Sequence, residues 1–379
     1  MRATLSGINT ATIGSAGARY TPAIEAGAPN LVIESSVELI EALSLNDAHR
    51  ERLRKMADQV DGAADGYSKS LVKGFQRRKQ TPNELARLLR QLADQKPGTS
   101  KKTTNAIVRT LRYCRKRTGE IERGLYTEER DAEEHSKERQ RISAEQSYVR
   151  KLSGVLYDIG DFVNSTAFEC VTNNKLLFLG EWGTGKTHFL CDITQIRDGQ
   201  NLATLMVLAH KLSRNSNPLE AVCRLVPSAS NADQLLVKLD RLGKKLNGRA
   251  LIIFDGINEA DRTTWSNAIP EIARKLDQYD HVGLVLSCRT PYDHQIFTEK
   301  NRERFVQYDH PGFDEIEIDA QSEFFNHYAI PTPNVPLLAD EFSRPLFLKI
   351  LCKTLQSFAD STKRKKIGDI ASGHRSMTT

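Results

Sequence analysis

Only six of the 379 residues are cysteine: Cys114, Cys170, Cys191, Cys223, Cys288 and Cys352. None stands in a CxxC pair or beside a histidine cluster, so a disulfide framework and a zinc module are excluded. Buried free thiols in a reducing cytoplasm are the expectation. No apolar run approaches the roughly 20 residues that a membrane helix needs. The start, MRATLSGINTATIGSAG, lacks the apolar centre of a secretory leader, so a cytoplasmic protein without a membrane partner is expected. Charge of one sign is also missing. The formal net charge is +6, and Lys and Arg interleave with Asp and Glu almost everywhere, which reads as a solvated surface. No internal repeat is present.

The chain is long enough for two or three domains. Residues 1–35 are rich in Gly, Ala, Thr and Ser, show no helical period, and read as an irregular segment. Helical spacing begins at Ser36: Val37, Ile40, Leu43, Leu53, Met56 and Val60 recur at the intervals of one helix face, with Ser35 or Ser36 as cap. In TPNELARLLRQLADQ, Thr81 predicts the N-cap, Pro82 the first helical position and Glu84 the capping box. Leu85, Leu88, Leu89 and Leu92 form its apolar stripe. Residues 103–117 predict a basic helix and 119–152 a long charged one. Residues 36–145 thus read as a helical or coiled-coil region. Arg109–Arg117 has the charge to meet nucleic acid, but a solvated helix face is the favoured reading.

From 146 to 318 the pattern changes. The apolar runs Lys175–Gly180, Thr204–Ala209, Ala250–Gly256 and Val282–Arg289 alternate with helical stretches, which predicts an α/β domain with a parallel sheet flanked by helices. After Asp319 strands stop. Residues 319–379 read as the start of a helical domain, and the polar tail SGHRSMTT reads as an early stop.

Three motifs carry chemistry. GEWGTGKT, Gly180–Thr187, fits the pattern GxxxxGK[ST] between a strand and a helix. Gly180, Gly183 and Gly185 let the backbone approach a phosphate. The loop amides of Glu181, Trp182 and Thr184, with the helix start at His188, form an anion cradle. Lys186 is placed for the β- and γ-phosphates, and the Thr187 hydroxyl for Mg²⁺. Second, LIIFDGINE ends an apolar strand in Asp255. A strand beside that of the P-loop would bring this carboxylate to the metal. Glu259 can deprotonate the attacking water, and Asn258 can help hold it. Third, VGLVLSCRTP places Arg289 at a strand end, where it can meet γ-phosphate charge.

This set, GEWGTGKTHFL, LIIFDGINEA, LSCRTPY and EFSRPLFLKILCK, resembles the STAND NTPases, most closely the NACHT-like ATPases of bacterial antiviral (Avs-type) defence. The resemblance covers residues 148–357. It implies an ATP- and Mg²⁺-dependent switch that self-assembles into a homo-oligomer once a phage or other foreign protein is sensed. It assigns Lys186 and Thr187 to the P-loop, Asp255 and Glu259 to the second strand motif, Arg289 to a sensor, and Pro345 and Leu346 to the nucleotide-facing start of the helical domain. Asn258 stands where many animal NACHT domains have Asp, which leaves Glu259 as the main base. Ala18–Pro22, ARYTP, resembles an Arg-Tyr-Thr-Pro segment of some bacterial members. The winged-helix and sensor regions that the family implies lie outside this sequence, so a truncated member is expected.

Two other readings stay open: an AAA+-like ATPase acting on nucleic acid, and a non-catalytic helical interaction protein that holds nucleotide. The P-loop does not separate ATP from GTP, but no NKxD segment follows the second motif, which favours ATP. Residues 1–145 read as a linker, an oligomerisation arm or an effector without a familiar signature.

Overall fold

The computed structural model describes residues 1–20, 31–64, 81–213, 216–331 and 340–358. In chain order the helical part comprises α1 (Arg2–Ser15), α2 (Glu34–Ser44), α3 (Asp47–Ala64), α4 (Pro82–Asp94), α5 (Lys101–Asp131), α6 (Lys137–Asn164) and α7 (Thr166–Thr172). The sheet region follows as β1 (Lys175–Leu179), α8 (Lys186–Gly199), β2 (Thr204–Leu208), α9 (Pro218–Cys223), α10 (Ala232–Lys245), β3 (Ala250–Asp255), α11 (Arg262–Leu276), β4 (Val282–Ser287), α12 (Thr290–Ile296), α13 (Glu299–Arg302) and β5 (Val306–Asp309). Then come α14 (Glu317–His327) and a helix over 345–358, α15.

The strands form one parallel five-stranded sheet in the order β2-β3-β4-β1-β5. From β1 the chain crosses over two strands, β4 and β3, to reach β2, then steps back through β3 and β4. Right-handed crossovers therefore put α8 on one face and α10 and α11 on the other. The side chains follow this division at period two. Leu176, Phe178, Met206, Ile253 and Val285 pack with Leu190 and Cys191 of α8 and with helices α2 to α7. Leu177, Leu205, Ile252, Phe254 and Leu286 pack with Leu235 and Leu239 of α10 and Trp265 and Ile269 of α11. The strands read as unbroken apolar runs because both faces are covered. All six cysteines are free and buried. Among the described residues no helix is long and apolar enough to cross a membrane.

Several expectations are corrected. The strand that ends in Asp255 does not lie beside β1, because β4 pairs with both and separates them. β5 is a fifth strand; only its first residue is fully buried, so its apolar signal is weak. The helix expected to break between 117 and 119 runs on to Asp131. Gly119 keeps helical geometry there, at a propensity cost of about 1 kcal/mol. α6 runs unbroken through 145 and 146, and the N-terminal helices share an apolar core with the sheet. Ser35 and Ser36 lie within the first turn of α2 rather than capping it; Ile33 is the N-cap and offers no side-chain bond. By contrast, Thr81 accepts from the Glu84 amide at 3.1 Å, and Leu85, Leu88, Leu89 and Leu92 are buried.

The first residues are not irregular. Arg2–Ser15 is a helix that covers the free edge of β2. Its period escapes a hydrophobic reading because the buried positions Leu5, Asn9 and Ile13 include an amide. Asn9 donates to the Thr204 carbonyl at 2.9 Å and accepts from the Met206 amide at 2.9 Å. Thr12 donates to the Met206 carbonyl at 3.1 Å. These bonds satisfy strand groups that would otherwise invite pairing with another chain. Replacing Asn9 by Ala strands a buried donor and acceptor, and should cost about 2–4 kcal/mol. Denaturant unfolding would show this as a lower midpoint at unchanged slope.

Candidate functional site

The site forms at the carboxyl ends of β1, β3 and β4. Gly180 (φ 151°) and Gly185 (φ 94°) carry the turn from β1 into α8. A Cβ on Gly180 would stand 3.1 Å from Thr184 Oγ1 and 3.2 Å from the His310 carbonyl. One on Gly185 would stand 3.5 Å from Pro345. Protein thus stands against the Cβ side of both glycines, which leaves no space there for a side chain. Lys186 Nζ turns back into the loop and donates to the carbonyls of Gly180 at 2.6 Å and Glu181 at 2.7 Å. Burial lowers its pKa from the ordinary 10.5 to about 8, against the pull of Asp255. Lys186 Nζ also reaches the Thr184 hydroxyl at 3.4 Å, and an ammonium held only by neutral oxygens, in a cradle of glycines, fits an anionic ligand.

Asp255 is fully buried at the end of β3. Thr187 donates to its Oδ2 at 2.7 Å, and Ser287, the last residue of β4, donates to its Oδ1 at 2.6 Å. Ser287 also accepts from the Gly256 amide at 3.1 Å. Burial raises the Asp255 pKa, while the two hydroxyls oppose the shift. Thr187 and Asp255 therefore stand together across the intervening strand. One carboxylate and one hydroxyl are oxygen donors of the kind a hard divalent cation such as Mg²⁺ takes. Among the described residues no cluster of three or more His, Cys, Asp or Glu forms a denser metal site.

Glu259 follows in the turn after β3. Arg289 Nη2 donates to its Oε1 at 2.9 Å, Arg19 pairs with its Oε2, and His210 Nδ1 lies 3.6 Å from the same oxygen. Burial, with Arg19 adding to it, lowers the His210 pKa. Asn258 Oδ1 accepts the Arg289 amide at 3.0 Å, at the start of α12. A cavity of about 550 Å³ adjoins Glu259 and is lined by His210, Asp261, Thr264 and Trp265.

The other sequence candidates lie around the loop. Glu181 pairs with Arg344, Trp182 is exposed, and His188 pairs with Asp192 at 3.1 Å. Tyr20 donates to Asp192 at 2.7 Å and packs on His188, so Arg19 and Tyr20 bracket the site. The rest of the ARYTP segment, Thr21 and Pro22, lies outside the described residues. Leu346 donates its amide to the Gly183 carbonyl at 3.2 Å beside Pro345. Sequence reasoning missed His210, His310 and the role of Ser287. Polar residues at the carboxyl ends of β2, β5 and β4 were the available signal, and that of His310 was lost with the unread strand.

No family model matches the chain, and no curated protein matches it. A solved structure described as that of Drosophila ORC bound to AT-rich DNA and Cdc6 matches at 12% identity and a TM-score of 0.27. The match covers 36% of this chain and 48% of that one, about half its length. A likeness that slight carries no argument, and the functional reading rests on the site itself.

The lowered pKa of Lys186 has a stability signature. Between about 8 and 10.5 the unfolded chain holds more protons than the folded one, so stability rises with pH across that window. Below it the cost of the buried charge is present in full. Lys186→Met keeps the stem and removes the charge. Without ligand at pH 7, this variant should be more stable by about 1–3 kcal/mol. The gap should close as pH rises through the window, as thermal melts across pH would record.

Proposed function

We propose that this protein is a Mg²⁺-dependent ATPase switch of the STAND kind, NACHT-like, working in bacterial antiviral defence and assembling into a homo-oligomer in response to nucleotide. The observation that carries the reading is the convergence of Lys186, Thr187, Asp255, Glu259 and Arg289 on one glycine loop. The proposed units are a helical region, a nucleotide-binding domain over 146–318, and a helical domain from 319. A phage or other foreign protein would be the trigger, met through parts of the system beyond this sequence.

In this account the loop amides and Lys186 bind the phosphates, and the nucleotide breaks the ammonium's bonds to Gly180 and Glu181. Pro345 borders the nucleotide side. Thr187 and Asp255 would hold Mg²⁺, which when bound supplies charge neutralisation for the β- and γ-phosphate oxygens. Glu259 accepts the proton of the attacking water at a carboxylate oxygen. For that it must exchange at least one of its arginine partners, Arg19 or Arg289, for water. Arg289 is then free to face γ-phosphate charge. A base held by two arginines before nucleotide arrives suits slow turnover.

One observation favours the nucleic-acid reading. Lys101, Lys102, Arg109, Arg112, Arg115, Lys116 and Arg117 open α5 with no acidic residue before Glu120. Turnover stimulated by DNA or RNA, with steep salt dependence, would favour it.

Titration of purified chain with Mg²⁺–ATP should give saturable binding that Lys186→Ala abolishes. Glu259→Gln should keep binding and lose about 10²–10⁴-fold in turnover. Unchanged hydrolysis in Glu259→Gln would remove Glu259 from the role of base. A particle mass that grows with ATP would separate the switch from a fixed scaffold.

A further inference from the structure

His310 follows β5 and is buried between Phe178 and Phe189, with ring centroids 5.1 and 5.5 Å away. Its Nδ1 lies 2.8 Å from Ser36 Oγ in the first turn of α2. Two residues earlier, the Tyr308 hydroxyl lies 2.7 Å from Ser35 Oγ and 2.9 Å from Ser36 Oγ. So the two serines that would ordinarily cap a helix are turned to β5, and α2 is left with no side-chain cap. The other ring nitrogen, Nε2, is buried, and the ring is held by the backbone of Thr184 in the loop. Nε2 lies 4.0 Å from where a Cβ of Gly185 would stand. The His310 carbonyl meets the Gly180 position in the same way. Burial, with the Lys186 ammonium nearby, lowers the ring's pKa to about 3, so it is neutral.

We infer that His310 is a positioning residue that couples the P-loop to helix α2, so that a nucleotide bound in the loop is sensed in the N-terminal helical region. The inference rests on the nucleotide reading above. A nucleotide draws Lys186 away from the Gly180 and Glu181 carbonyls, and the loop backbone at Thr184 and Gly185 must adjust. His310 is the side chain packed behind that backbone, and the two meet at Thr184. Phe178 and Phe189, each tilted 34° to the ring, pack against it, so movement of the loop passes through Nδ1 to Ser36 rather than into ring rotation.

The test is hydrogen exchange on the full chain, with and without Mg²⁺ and a non-hydrolysable ATP analogue, alongside the analogue's affinity. In the wild type, exchange should change severalfold at the P-loop and at residues 34–44. In Ser36→Ala, which touches nothing in the loop, the loop should still respond and the affinity should hold, while α2 falls silent. His310→Ala should do the same, and His310→Gln, which keeps a hydrogen-bonding side chain, should restore part of the response. Full α2 response in both Ser36→Ala and His310→Ala overturns the coupling, as does a wild-type chain that binds the analogue with α2 unmoved. A wild type that binds no analogue overturns the nucleotide reading and the coupling with it.

Discussion

One buried carboxylate organises the site. Asp255 lies at the end of a central strand, out of water, where its charge is costly unless its oxygens are engaged. Thr187 satisfies one oxygen and Ser287 the other. Those two hydroxyls belong to the first turn of α8 and the end of β4, so a single side chain sets the P-loop helix, β3 and β4 in register. Glu259 and Arg289 then follow directly, one after each strand, and meet at 2.9 Å.

Much of the glycine loop was legible in the sequence because its pattern needs few residue types at fixed spacing. Gly180, Gly185, Lys186 and Thr187 fall where strand, turn and helix require them. The four apolar strands were readable because a sheet covered on both faces writes itself as unbroken runs. What was not legible follows from tertiary context. Helix α1 escaped because its key buried residue is Asn9, whose partners are backbone groups 195 and 197 residues away. β5 escaped because an edge strand exposes alternate residues. The role of Asn258 as a tether for the Arg289 amide could not be read from its place beside Glu259.

The N-terminal helices and the sheet are joined through one core. Leu39, Leu53, Leu89 and Ile159 pack in the same apolar cluster as Phe178 and Met206. Arg249, buried at the start of β3, donates to the carbonyls of Leu43 at 2.9 Å and Cys170 at 2.8 Å. These carbonyls lie in the last turns of α2 and α7, where a cation is favourable. The helical region thus lies against the same sheet that carries the loop. A change at β1 or β5 has a packed route to α2, with His310 and Ser36 as its polar part.

The measurement closest to the central claim is the gain in ATP affinity on adding Mg²⁺, compared between wild type and Asp255→Asn. The account predicts a clear gain in the wild type that is lost in the variant, while binding without metal, which rests on Lys186 and the loop amides, remains. An equal Mg²⁺ gain in Asp255→Asn would contradict the assignment of the metal to Asp255 and Thr187.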